Sequence, residues 1–396
     1  MTGRRLLPIL LLICLAPLRG EITFAKDVRP ILESRCQECH RAGEIGPMPL
    51  LTYAQARPWA KAIKTAVLSK KMPPWFADPH YGKFSNDLSL NPKEIATIAA
   101  WVDGGALEGD RGQPTKRADL ADGWRIAKPD AIFELPQAID IPSTGALDYM
   151  YISVPTGFTE DRWVESVEVR PTNRAVVHHA IVLVQFYGGR WGAGFLAGYA
   201  PGAMPQRWQP GQARLIKAGS NLIFQMHYTT NGKPALDRTQ LGMVFARQPV
   251  TQQVVALQAV NHWFEIPPGD PNFKVESSST VFESAWLVGM RPHMHLRGKS
   301  FEFRAVYPDG RTEILLRVPK YDFNWQPYYY LATPLKLPKG TRIECTARFD
   351  NSPNNVFNPD PQVAVRWGDQ SWDEMMIGWF DLAIPAGASR MYSTGF

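Results

Sequence analysis

The spacing of apolar residues changes once along the chain. Between Asp27 and Val102 three stretches carry them at helical intervals: Asp27 to Ser34, Ala56 to Ser69 with Ala60, Ile63, Ala66 and Val67, and Pro92 to Val102. Pro92 at a helix start and Gly104-Gly105 beyond its end are ordinary start and stop signals. From Ile132 onward, short runs of Val, Ile, Phe and Tyr alternate with Pro/Gly turns, which predicts strands over Ala175 to Phe186, Asn221 to Thr230, Ser300 to Tyr307 and Thr341 to Phe349. Tyr307-Pro308-Asp309-Gly310-Arg311 predicts a hairpin turn. The polar stretch from Gly109 to Gly123 lacks any apolar period, so 111–124 is read as a linker. The expected architecture is multidomain: a small all-α domain over 21–110, then two all-β sandwich domains over 125–260 and 261–396.

A chain of 396 residues exceeds what one hydrophobic core organises, in keeping with several domains. Its 45% hydrophobic and 20% charged residues exclude a disordered or collagen-like chain, and its 34 Pro and 31 Gly argue against a helical bundle. The formal charge is +6, yet three of the surplus cations are Arg4, Arg5 and Arg19, and no long basic run exists; nucleic acid is not an expected partner. Arg4 and Arg5 followed by Leu6 to Leu15 have the form of an export signal over 1–20, cleaved near Gly20. Ile13 before Cys14 argues against lipidation there, and an uncleaved anchor is the other reading of the segment. The expectation is an exported, periplasmic protein, soluble after signal cleavage.

Cys36-Gln37-Glu38-Cys39-His40 is a CxxCH run, in which two thiols can form thioethers to one covalent haem c while the histidine ligates iron. A zinc half-site or a redox CxxC pair is the rival reading, and no second cysteine pair completes a zinc site. Met72, stiffened by Pro73 and Pro74, is the expected second axial ligand, with His80 and Met48 as alternatives. Five histidines gather in His178-His179, in Gln225-Met226-His227-Tyr228 and in His293-Met294-His295. His293 and His295 at i, i+2 share one strand face. His178 and His179 face opposite ways on a regular strand, so joint ligation needs a bulge there, or else His227 ligates with only one of them. Asp373-Glu374-Met375-Met376 offers a thioether, and imidazole with thioether suits copper; Glu374 keeps zinc open.

The order HH, QMHY, HMH, DEM over about 125–396 resembles the copper type II, ascorbate-dependent monooxygenases, the family of peptidylglycine α-hydroxylating monooxygenase and dopamine β-hydroxylase. Tyr199-Ala200-Pro201-Gly202 is similar to a loop of that family, and residues 21–110 resemble a class I cytochrome c domain. The resemblance implies two jelly-roll-like domains with two coppers across a solvent-filled cleft. By it, His178, His179 and His227 would hold the electron-supplying copper, and His293, His295 and Met375 the catalytic copper that meets O2. Arg291 would match an arginine that clamps a peptide carboxylate in one branch; a structural ion pair is its other reading.

Two departures qualify this. Cys345 falls where the family has a half-cystine, but Met376 stands in its partner's place, and Trp379 replaces a tyrosine expected in the peptide-hydroxylating branch. The implied activity is hydroxylation of a C–H bond in a small-molecule or peptide-like substrate. Electrons would come from an external donor, whether ascorbate, a quinol-linked carrier or another cytochrome, and enter through the haem. A non-enzymatic electron-transfer or copper-binding protein would use the same ligands.

Overall fold

The structure, a computed structural model, describes residues 21–110, 123–185 and 193–388. The expected export signal and most of the expected linker lie outside the described residues. No helix among the described residues is long and apolar enough to cross a membrane.

The first segment is helical, in the order Phe24–Val28 (a π-turn), Arg29–Arg35, Tyr53–Ala56, Ala60–Leu68 and Pro92–Asp103. Thr52 and Asn91 start two of these helices with reciprocal capping boxes to Gln55 and Glu94, which satisfy otherwise orphaned amide donors. Val28, Leu32, Ile98 and Trp101 are fully buried in one small core, and Phe24 stacks edge-on against Tyr53. The expected helix from Ala56 to Ser69 is interrupted by a 3₁₀ turn over Arg57–Trp59, where Pro58 cannot donate a backbone N–H.

The rest of the described chain is β-sandwich. Strands Met150–Pro155, Asn221–Tyr228, Val177–Gln185 and Ala193–Tyr199 make one four-stranded sheet, and Phe273–Thr280, Arg342–Phe349, Gly298–Val306 and Thr312–Val318 make another. Both pack on a single nine-stranded sheet, so the two apolar cores share one continuous floor. Its halves join where Gln252–Val260 pairs in parallel with Gln212–Ile216 at Gln252 and Gln253. The strand just before the expected 260/261 boundary is thus the one that links the two halves of the sheet. Gln252–Val260 pairs along its whole length with Ile377–Pro385, and hydrogen-bond partners decide sheet membership where strand spacing does not. The expected hairpin joins Gly298–Val306 to Thr312–Val318, with Gly310 at φ 85°.

The helical unit is docked against both sandwiches. Residues 70–91 leave the helices and lie on the second sandwich, where Trp75 and Phe84 pack on Tyr329 at 4.9 and 5.4 Å and Asn86 Nδ2 donates to the Tyr328 carbonyl at 2.6 Å. On the other side the buried Arg125 lies 3.2 Å from Glu38 and 3.5 Å from Glu168, and Arg174 pairs with Glu44 at 2.6 Å. Such buried pairs fix an orientation more than they add stability, because desolvation offsets most of the Coulomb gain.

Candidate metal and cofactor site

Cys36 closes the Arg29–Arg35 helix and the CxxCH run follows as turns, with His40 N bonded to the Cys36 carbonyl at 2.9 Å. His40 Nδ1 donates to the Met48 carbonyl at 3.0 Å, which leaves Nε2 as the free nitrogen. Cys36, Cys39, His40 and Met72 together line one cavity. Pro201, Gly202 and Met204 of the first sandwich and Trp325, Pro327 and Tyr328 of the second complete its wall. Burial pushes the Cys36 thiol up to about 12 and raises Cys39 as well, so neither carries the thiolate a redox pair needs. Of the alternative axial ligands, His80 is 83% exposed in its side chain and bonded to Asp78, away from the cavity, whereas Met48 packs against the helical core.

Val177–Gln185 carries the first histidine pair, and its pairing with Asn221–Tyr228 slips between Val177 and His179. The bulge lets His178 turn to the same side as His179, which sits opposite His227 in register. Ligand atoms of His178, His179 and His227 lie within 4.8 Å of one another. His178 Nδ1 and His179 Nδ1 are buried without a hydrogen-bond partner, as nitrogens meant for a metal would be. Burial lowers all three imidazoles, His227 to about 3, so they are neutral at neutral pH and no proton competes for their lone pairs.

His293 ends the Ala285–His293 strand, and His295 lies in the turn beyond it, not on the same strand as its spacing suggested. The turn nevertheless sets the two rings 5.2 Å apart. Two backbone N–H groups, of His295 at 2.8 Å and Arg297 at 2.6 Å, donate to the buried Glu374 carboxylate and hold that turn. Glu374 is thus engaged as a brace, and burial pushes it up to about 8 against those bonds. His295 Nδ1 donates to the Asp373 carbonyl at 3.2 Å, while Nε2 is buried and unpartnered. Met375 is buried, and continuing the register that sets His293 opposite Ile377 would put it opposite His295. The chemistry of these donors, neutral imidazole with a thioether at the second set, fits copper in either oxidation state.

Loops of the second sandwich reach across to the first histidine set: Asn324 Oδ1 lies 3.3 Å from His178 Nε2, and Ser371 Oγ lies 3.4 Å from His227 Nε2. Phe323 fills the space between the sets, 4.9 Å from His178 and 5.7 Å from His295 by ring centroids. Phe323, Asn324, Gln326, Tyr149 and Ser371 were not singled out in the sequence. The aromatic run from Tyr321 to Tyr330 was the available signal. Arg291 is buried beneath this region with its guanidinium 5.2 Å over the Phe195 ring, and no ion pair to it is formed among the described residues. Trp379, paired with Arg291 across adjacent strands, packs on Phe195 at 5.5 Å. Cys345 is a free, buried thiol beside Gly378, and Met376 Sδ accepts from Ser277 Oγ at 3.2 Å.

No family model matches this chain, and no curated protein matches it. Among solved structures it is similar to the major capsid protein P2 of bacteriophage PM2, at 10% identity and a TM-score of 0.32 over 67% of this chain and 99% of that one. It is also similar to PNGase F, a glycosylasparaginase from Flavobacterium meningosepticum, at 8% identity and a TM-score of 0.25 over 63% of this chain and 96% of that one. Likenesses this slight carry no argument about function.

Proposed function

We propose that this protein is an exported copper- and haem-dependent monooxygenase that hydroxylates a C–H bond of a small organic substrate with O2, with electrons entering through a cytochrome c-like domain. The observation that carries the reading is the convergence of three ligand groups far apart in sequence, the CxxCH cavity and the two histidine sets, around the single loop at Phe323. Cys36, Cys39, His40 and Met72 would hold the haem; His178, His179 and His227 one copper; His293, His295 and Met375 the other.

When bound, haem would supply single electrons and copper would supply one-electron storage and oxygen activation. The chain's own residues do the positioning. The Met48 and Asp373 carbonyls select the tautomers of His40 and His295, leaving each Nε2 lone pair free for the group it would hold. Gln326 Oε1, 2.7 Å from His293 Nδ1, does the same at the neighbouring imidazole. Burial keeps the histidines neutral and water scarce around them.

The test combines metal analysis with turnover. The mature protein should hold one covalent haem and two coppers, and with an external reductant should consume oxygen as a product one oxygen heavier than its precursor forms. Copper and haem without any such product in an untargeted metabolite screen, compared with a Met375→Ile strain, would leave the electron-transfer or copper-binding reading in its place.

A further inference from the structure

Four consecutive side chains of one short turn reach three different sites. The turn is closed by the Trp325 N–H on the Asp322 carbonyl at 3.0 Å, by the Asn324 N–H on Asp322 Oδ1 at 2.9 Å and by Gln326 Nε2 on the Phe323 carbonyl at 3.0 Å. Phe323 lies against His178, His179, His227 and His295. Asn324 meets His178 Nε2 at 3.3 Å, and Gln326 meets His293 Nδ1 at 2.7 Å. Trp325, between them, stands in the wall of the cavity that Cys36, Cys39, His40 and Met72 line. Its indole closes on Gly202, where a Cβ would come within 2.8 Å of the ring. Trp325 thus joins the two imidazole-orienting amides and also faces the cavity where a bound group would sit.

We propose that Asp322–Gln326 is a shared positioning loop: Asn324 and Gln326 orient one imidazole of each histidine set, Trp325 anchors both to the cavity wall, and filling the cavity and loading the two metal sites are thermodynamically coupled. This rests on the haem-and-copper reading above. Coupling of this kind is reciprocal, so haem in the cavity raises metal affinity and metal at the histidines alters the environment of the haem. Residues that orient a ligand from behind typically control metal affinity by about 10–100-fold.

The test uses the full-length, haem-loaded protein titrated with copper, reading copper affinity at each site, the haem absorption spectrum and the haem midpoint potential. Asn324→Ala should weaken the His178 set alone and Gln326→Ala the His293 set alone, each by about 10–100-fold. Trp325→Leu should weaken both sets together, and Trp325→Phe, which keeps a ring against Gly202, should restore both. Copper should shift the haem spectrum and midpoint in the wild type and in Trp325→Phe, with no shift in Trp325→Leu. Copper sites unaffected by Trp325→Leu in a folded protein, or a wild-type haem signal blind to copper loading, would overturn the loop. Should Trp325→Leu fail to fold, the wild-type haem response decides alone. A wild type that binds no haem or no copper would instead overturn the function from which this follows.

Discussion

Arg214 and Asp381 tie the two sandwiches together, and removing one of them should be far more costly than removing both. Arg214 belongs to the Gln212–Ile216 strand of the first sandwich and Asp381 to the Ile377–Pro385 strand of the second; their side chains meet at 2.6 Å, both nearly inaccessible. Arg214 also donates to the Phe195 carbonyl and lies over the Trp208 ring. Arg214→Met leaves Asp381 buried without its cation, which costs about 3–5 kcal/mol in comparable sites, whereas Arg214→Met with Asp381→Leu replaces the pair by apolar volume and is expected near wild-type stability.

The pH dependence follows from the carboxylate. Burial raises Asp381 and Arg214 opposes that rise, so in Arg214→Met its folded value climbs further above the unfolded one. A group raised on folding contributes stability that is present at low pH and lost as pH rises through its folded value. The deficit of Arg214→Met against wild type should therefore be smallest in acid and grow toward neutrality. Guanidinium denaturation followed by circular dichroism at acid and neutral pH measures it. A single variant within about 1 kcal/mol of wild type at neutral pH, or a double variant no better than the single, would refute this account of the joint.

The remaining expectations concern the ligands. Met72→Ala should remove the sulfur-to-iron absorption band and lower the haem midpoint, while His80→Ala leaves both unchanged, because His80 points to Asp78 and solvent; visible spectroscopy with potentiometry reads the pair. His227→Ala should cost one copper by elemental analysis with the haem content intact, since its neighbours alone leave an incomplete set. Glu374→Gln should loosen the His295 turn, because the two N–H groups bond different carboxylate oxygens and Gln replaces one of these with a donor-only NH2; a lower copper content at that set with the His178 set unchanged would confirm the brace, and wild-type copper at both would discount it.

Local chemistry was legible in the sequence because it resides in neighbours along the chain. The CxxCH run, the capping signals at Thr52 and Asn91, the alternating strands and the Asp309-Gly310 turn each follow from a few adjacent residues. The bulge at His178 could be stated as a condition, since strand alternation alone forbids two adjacent imidazoles from facing one way. Other features required the fold. Nothing near Gln252 shows that its strand pairs with both Gln212–Ile216 and Ile377–Pro385 and so carries one sheet through both sandwiches. Nor does local pattern place Trp325 beside Gly202, or Asn324 and Gln326 against histidines more than thirty residues away. Those contacts arise from burial of apolar surface that has no directional code in the sequence, whereas a turn or a ligand motif is written in bonds between near neighbours.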